Sequence, residues 1–158
     1  MDELITELFK LLETKKWKIA TAESCTGGMI AAAITEIAGS SAYFDRGFVT
    51  YSNEAKMELL DVQPLTLDRF GAVSEQTARL MARGAYAHSD ADITVSVTGI
   101  AGPGGGSDEK PVGTVYIGLS TDDHAEVHHH VFDGDRQSIR HQTMENAIKH
   151  VMAFIKRN

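Results

Sequence analysis

Short β-rich runs alternate with segments of helical period along most of this chain, and that alternation restricts it to a layered α/β fold. Leu4, Ile5, Leu8, Leu11 and Leu12 recur at helical spacing and predict an amphipathic first helix. Trp17 to Ala22 reads as a short buried strand running into the turn Glu23-Ser24-Cys25-Thr26-Gly27-Gly28. A helix follows with Met29, Ile30, Ala33, Ile34 and Ile37 on its apolar face, and Gly39 is placed to stop it. Ala31 to Ala33 keep that helix slim enough to pack closely on a sheet.

Tyr43 to Ser52 is β-rich, and a helix from about Asn53 to Leu60 should start at a cap supplied by Ser52 or Asn53. Pro64 marks a connection, and Ser74 caps a further helix with Ala78, Met81, Ala82 and Ala85 on one side. Ile93 to Val97 is a buried strand ending in Thr98-Gly99. A long loop then runs from Ala101 to Gly113, a length usually tied to function or mobility. Val115 to Leu119 and Val127 to Phe132 read as an antiparallel pair of strands, because no helix separates them. A final helix starts around Asp133 to Arg136 and turns Ile139, Met144, Ile148, Val151 and Ile155 inward. The expected architecture is a three-layer α/β/α sandwich with a mixed, mostly parallel sheet, one domain over residues 1–158.

Open α/β sheets gather ligands beyond the carboxyl ends of their strands. Three unusual segments are expected at such ends: Glu23 to Gly28, Tyr51 to Lys56, and Thr98 to Gly106. The formal charge of -7 argues against non-specific nucleic-acid binding, and an anionic ligand would need a local positive patch. A single cysteine, Cys25, precludes a disulfide within the chain and suits a reducing cytoplasm. No signal peptide and no membrane-spanning run of apolar residues is readable.

Ser24 lies between a strand and a Gly-Gly turn opening a helix, where free N–H groups can face an anion. It can be a nucleophile whose oxyanion those groups stabilise, or simply a cap, the commoner use of serine in such turns. Glu23 and Thr26 carry the same ambiguity. Cys25 has no base nearby in sequence and reads as a small buried residue. Tyr51 and Lys56 are more suggestive together. A lysine with its pKa lowered by burial, with a tyrosine relaying the proton, can activate a serine. A lone lysine on a short helix is more often a solvated charge. Asn53 either positions a ligand or caps its helix.

The stretch Gly99 to Gly106 satisfies neither a P-loop nor a dinucleotide fingerprint. Gly102 is followed five positions on by Ser107 with no lysine next to it, and position 107 is serine where a third glycine would be needed. What remains is a lid, or a loop whose glycines permit close approach to phosphate or ribose. His128, His129 and His130 suggest a metal site at first glance. Alternation in a strand lets only His128 and His130 share an ion, and such pairs are more often plain surface. Arg136 and Arg140, one turn apart in the last helix, could hold a phosphate or pair with surface carboxylates.

The wording and order of these segments narrow the choice. Thr21-Ala22-Glu23-Ser24-Cys25-Thr26-Gly27-Gly28 resembles the opening signature of the CinA C-terminal domain family. Similar segments follow in the same order: Gly47 to Lys56, Gly71-Ala72-Val73-Ser74-Glu75, Thr98 to Pro103, Lys110 to Val115, and Gly134-Asp135-Arg136. The resemblance covers nearly the whole chain. It implies an amidohydrolase that converts nicotinamide mononucleotide and water into nicotinic acid mononucleotide and ammonia, with no metal or organic cofactor. Some members carry an additional molybdopterin-binding type of domain before this one, whose activity would be absent here. Other single-domain relatives have lost amidase activity.

The resemblance makes Ser24 the nucleophile, Tyr51 and Lys56 the proton-transfer residues, and Thr98 a further catalytic residue. Glu23, Thr26, Gly27, Gly28, Asn53, Gly99, Gly102, Arg136 and Arg140 are the candidate substrate-binding residues, with the Gly-Asp-Arg context favouring Arg136 over Arg140 for the phosphate. Backbone N–H groups near Gly27 and Gly28, with the Thr98 hydroxyl, would hold the oxyanion. A homodimer or higher homo-oligomer in the cytoplasm is the implied state, with no nucleic-acid or membrane partner. The alternatives are a non-catalytic nucleotide-binding module, an inactive paralogue, or an amidase for another small amide.

Overall fold

The computed structural model describes residues 1–158. Its five strands lie in the order β2-β1-β3-β4-β5, where β1 is Ile19–Glu23, β2 Phe44–Val49, β3 Ile93–Gly99, β4 Thr114–Ser120 and β5 Ala125–Val131. β1 pairs in parallel with β2 and β3, β4 runs antiparallel to β3, and β5 antiparallel to β4. Only β4 therefore opposes the common direction. The helices are α1 (Asp2–Lys15), α2 (Met29–Thr35), α3 (Asn53–Leu60), α4 (Pro64–Phe70), α5 (Glu75–Ala87) and α6 (Arg136–Arg157).

β1 is buried along its whole length, as is the central strand β3 up to Thr98. Both strands are covered on two faces, so Thr94, Ser96 and Thr98 are as buried as the apolar residues they alternate with. On one face α1, α2 and α6 pack Ile5, Leu8, Leu12, Ile30, Ile34, Ile148 and Val151 against Ile19, Val95 and Ile117. On the other face α5 lies so close that Gly118 has no room for a side chain: a Cβ there would stand 2.6 Å from the Ala78 carbonyl oxygen. Two buried hydroxyls of β3 are satisfied by that same helix, Thr94 donating to Ala82 O at 2.7 Å and Ser96 to Ala78 O at 2.6 Å. The result is the expected three layers. No helix is long and apolar enough to cross a membrane.

Two caps fall where the sequence places them. Ser52 accepts from Ala55 N–H and Ser74 from Thr77 N–H, starting α3 and α5. Three boundaries differ. β1 begins at Ile19, because Trp17 closes the end of α1 by donating its N–H to Leu12 O, and it extends to Glu23, making Ser24 the first residue past the strand. α2 stops at Thr35, and Gly39 instead introduces a 3-10 turn at Ser40–Ala42. The segment after Pro64, read as a connection, is the short helix α4 with proline in its first turn. α4 buries no residue, and Leu65 is 62% exposed, so it carries no apolar period to reveal it.

Candidate active site

β1, the parallel strand β2 and β3 all end on the same side of the sheet, so the residues after them converge. A cavity of about 240 Å³ opens there, lined by Ser24, Cys25, Tyr51, Lys56, Ala72, Val73, Thr98, Gly99, Ala101 and Arg136. A larger groove of about 330 Å³ lies between the end of α3 and α5 and has no lysine or histidine to serve as a base. The reactive groups belong to the smaller cavity.

Lys56 lies at the fourth position of α3, and its side chain is 1% exposed. Its Nζ is 2.9 Å from Ser24 Oγ, 2.9 Å from Thr50 O and 3.1 Å from Tyr51 O. Burial lowers its pKa from 10.5 to about 8, opposed by the neighbouring Cys25 thiol. The partners decide what a neutral amine does here. Two of the three are carbonyls, which can only accept, so both N–H bonds of the neutral amine go to Thr50 and Tyr51. The nitrogen lone pair is then left for the Ser24 hydroxyl. The same cage holds the ammonium form with three donated bonds, so Lys56 can gain and lose a proton without moving. Cys25, also buried, is driven the other way: desolvation pushes its thiol up to about 11, which keeps it protonated and inert.

The turn carrying Ser24 is fixed from three sides. Its N–H donates to Val97 O at 3.1 Å. The Glu23 carboxylate accepts from Thr26 Oγ1 at 2.7 Å, Ile30 N at 2.9 Å and Ala31 N at 3.0 Å, tying down the start of α2. Arg140, reaching over from α6, donates from Nε to Cys25 O at 2.9 Å and from Nη2 to Thr26 O at 3.2 Å. The two residues that follow adopt positive φ, +59° at Gly27 and +106° at Gly28, which side chains other than glycine resist. In a trans peptide C=O and N–H point in opposite directions. By holding Cys25 O, Arg140 therefore turns the Thr26 N–H away from itself, and that N–H, like that of Cys25, donates to no other residue.

Of the candidate residues named from the sequence, the structure brings Ser24, Tyr51, Lys56, Thr98, Gly99 and Arg136 to one cavity. It gives several others different employment. The side chains of Glu23 and Thr26 are bonded to each other and serve the helix start, not the cavity. Arg140 holds the two turn carbonyls through Nε and Nη2 and lies outside the cavity lining. Gly27 N–H donates to Ser24 O at 3.1 Å, so it is not the oxyanion donor expected of it. Gly28 caps α2 and lies outside the cavity lining. The Thr98 hydroxyl donates to Ala72 O at 2.8 Å, which commits its proton and leaves only its oxygen to the cavity. Asn53 begins α3 on the exposed surface, away from the cavity lining. Gly102 contributes its carbonyl, which accepts from Arg136 Nη1 at 2.9 Å. Tyr51 meets Lys56 through its carbonyl, while its hydroxyl lies 3.4 Å from Arg136 Nη2. A relay through the phenol is therefore not what the geometry offers.

Sequence reasoning missed the contribution of Ala72, Val73 and the Thr50 carbonyl. These act through backbone atoms or plain apolar surface, so residue type gives no signal. The Gly71–Ser74 segment that carries two of them is pinned, Ser74 Oγ and Thr77 Oγ1 both donating to Gly71 O.

The sequence and the fold are similar to those of known proteins. The CinA C-terminal domain model matches residues 1–155. Nicotinamide-nucleotide amidohydrolase PncC of Enterobacter agglomerans is 55% identical over 90% of this chain and 87% of its own length. A CinA-like protein of Geobacter sp. (strain M21) is 49% identical over 98% of this chain but 37% of its own, and the chain spans about a third of the length of several curated relatives. The crystal structure of the competence/damage inducible protein CihA from Agrobacterium tumefaciens superposes with a TM-score of 0.93 at 49% identity, covering 96% of this chain and 93% of that one. The chain belongs to the CinA C-terminal domain family.

Proposed function

We propose that this chain, acting as one domain, is a nicotinamide-nucleotide amidohydrolase that releases ammonia from nicotinamide mononucleotide using Ser24 as nucleophile. The observation that carries the reading is the contact between Lys56 Nζ and Ser24 Oγ, 2.9 Å in a cage that leaves the amine lone pair facing the hydroxyl. The similarity to the PncC amidohydrolase supports the choice of substrate.

In this scheme neutral Lys56 takes the Ser24 proton directly. The Ser24 oxygen bonds to the carboxamide carbon, and the carbonyl oxygen becomes an oxyanion facing the Cys25 and Thr26 N–H groups. The Lys56 ammonium returns the proton to the amide nitrogen, the C–N bond breaks, and ammonia leaves with the acyl group on Ser24. Water, deprotonated by Lys56, then cleaves the ester and restores the serine. The cationic pyridinium ring withdraws electrons from the amide and favours attack. Arg136, at the cavity wall beside Tyr51 and Gly102, provides the positive charge that the nucleotide phosphate needs on a chain of net charge -7. The enzyme acts in the cytoplasm as a homo-oligomer, on a nucleotide rather than on nucleic acid.

The test is ammonia release from nicotinamide mononucleotide by untagged protein beside Ser24→Ala and Lys56→Ala. Turnover by the wild type, abolished in both variants, is the expected result. Retained turnover in Ser24→Ala overturns the nucleophile. Binding without ammonia release makes the chain a nucleotide-binding module, and failure to bind removes the substrate.

A further inference from the structure

The run His128-His129-His130 takes no part in the chemistry above, and the structure splits it between the two faces of the edge strand β5. His129 faces away and stacks on its cross-strand neighbour Tyr116, ring centroids 4.6 Å apart. His130 turns towards α6, where its Nε2 lies 2.7 Å from Nε2 of His150. Each ring of this pair is held by a second ring. His150 stacks on His128 at 3.9 Å with planes 10° apart, and His130 stacks on Phe132 at 4.9 Å with planes 12° apart. His128 is in turn fixed by a hydrogen bond to Glu126, which also receives Arg157 at 2.8 Å.

We propose that His130 and His150 form a two-histidine site for a divalent cation of the Zn²⁺ type, joining β5 to the middle of α6. Two imidazole nitrogens already converge on one point, from a strand and a helix separated by 20 residues in sequence. Zinc binds imidazole nitrogen at about 2.0–2.1 Å in a tetrahedron, which needs the two nitrogens about 3.3 Å apart. The pair has only to open by roughly 0.6 Å from its hydrogen-bonded separation, a small rotation of either ring. Metal binds neutral imidazole through the ring nitrogen lone pair. Nitrogen donors select zinc, nickel or copper over magnesium and calcium. The rings of His128 and Phe132, stacked on His150 and His130, hold the orientation of the two ligands. With water in the remaining positions, two protein ligands give a dissociation constant of roughly 1–100 µM, weaker than a four-ligand site.

The experiment uses the untagged, chelator-stripped chain. Zn²⁺ is titrated in competition with a chromophoric chelator at neutral pH, and imidazole resonances are followed by NMR. One zinc per chain is expected, with His130 and His150 the resonances that shift most and a higher thermal midpoint in the presence of zinc. His130→Gln and His150→Gln should each weaken binding at least tenfold, while His129→Gln leaves it unchanged. The site is refuted if no zinc binds below 1 mM, on the order of tenfold beyond the weakest value expected. It is equally refuted if binding survives in His150→Gln, which would assign the metal to the exposed strand pair His128 and His130. The NMR arm needs no variant, so a misfolded substitution cannot hide the answer.

Discussion

The buried lysine makes a prediction that can be followed in both rate and stability. If neutral Lys56 is the base, kcat/KM for nicotinamide mononucleotide follows the fraction of its unprotonated form. With the pKa lowered to about 8 by burial, that fraction is about one part in eleven at pH 7 and about ten parts in eleven at pH 9, so the rate rises about tenfold across the interval. Removal of the base should cost at least ~100-fold, and the residual rate of Lys56→Met should lose the step near pH 8. The same displacement is a stability statement. Below the folded pKa the lysine is charged in both states and contributes no pH dependence. Between about 8 and 10.5 the unfolded chain holds a proton that the folded chain has released, so stability rises with pH by up to about 3 kcal/mol. Chemical denaturation of wild type and Lys56→Met from pH 7 to 10.5, taken as a difference, isolates that contribution from other titrating groups. A rate that is flat from pH 7 to 9, together with identical stability profiles, would refute a neutralisable Lys56 and the mechanism built on it.

Three further substitutions separate scaffold from chemistry. In Gly84→Ala the new Cβ would stand 2.0 Å from the Leu60 carbonyl oxygen, a backbone atom that cannot swing aside, so α3 and α5 must part. A loss of at least ~3 kcal/mol in denaturant unfolding is expected, and a loss under ~1 kcal/mol would mean that the two helices are not held at this distance. Arg140→Met releases the Cys25 and Thr26 carbonyls and with them the aim of the Thr26 N–H. Steady-state kinetics should show kcat reduced by about tenfold to 100-fold with KM within about threefold, whereas Arg136→Met should chiefly raise KM. The opposite pattern would make Arg140 the phosphate ligand.

Much of the fold was legible because its signals are local and strong. The serine caps at Ser52 and Ser74 set the starts of α3 and α5, since an N-cap hydroxyl needs only the N–H three residues on. The β-branched residues from Ile93 to Val97 marked a strand, although the alternation with Thr94 and Ser96 does not reveal that both of its faces are buried. α4 stayed hidden because it fully buries no residue and rests only Leu67 partly against the smaller core cluster, too little for a helical period to show. The boundary of β1 shifted for a similar reason: Trp17 is apolar and β-prone, but its N–H is used to finish α1.

Side-chain employment was harder to read than position, and the turn after β1 shows why. Glu23, Ser24, Thr26 and Arg140 are all polar, all close to one peptide turn, and all able to hold an anion or a proton. What separates them is where their remaining hydrogen bonds go. Glu23 accepts three good bonds from Thr26 and the start of α2, and Arg140 grips two turn carbonyls, so both are tied to the backbone of the turn. Ser24 alone keeps its polar atom for Lys56 and the cavity. The partner of Ser24 is 32 residues away in sequence and that of the turn carbonyls is more than 100 away, distances over which no local pattern carries information. A reactive serine in such a turn is thus defined by exclusion: its polar neighbours are tied into holding the backbone, and two consecutive glycines let the turn take the positive φ that keeps one hydroxyl aimed at one amine.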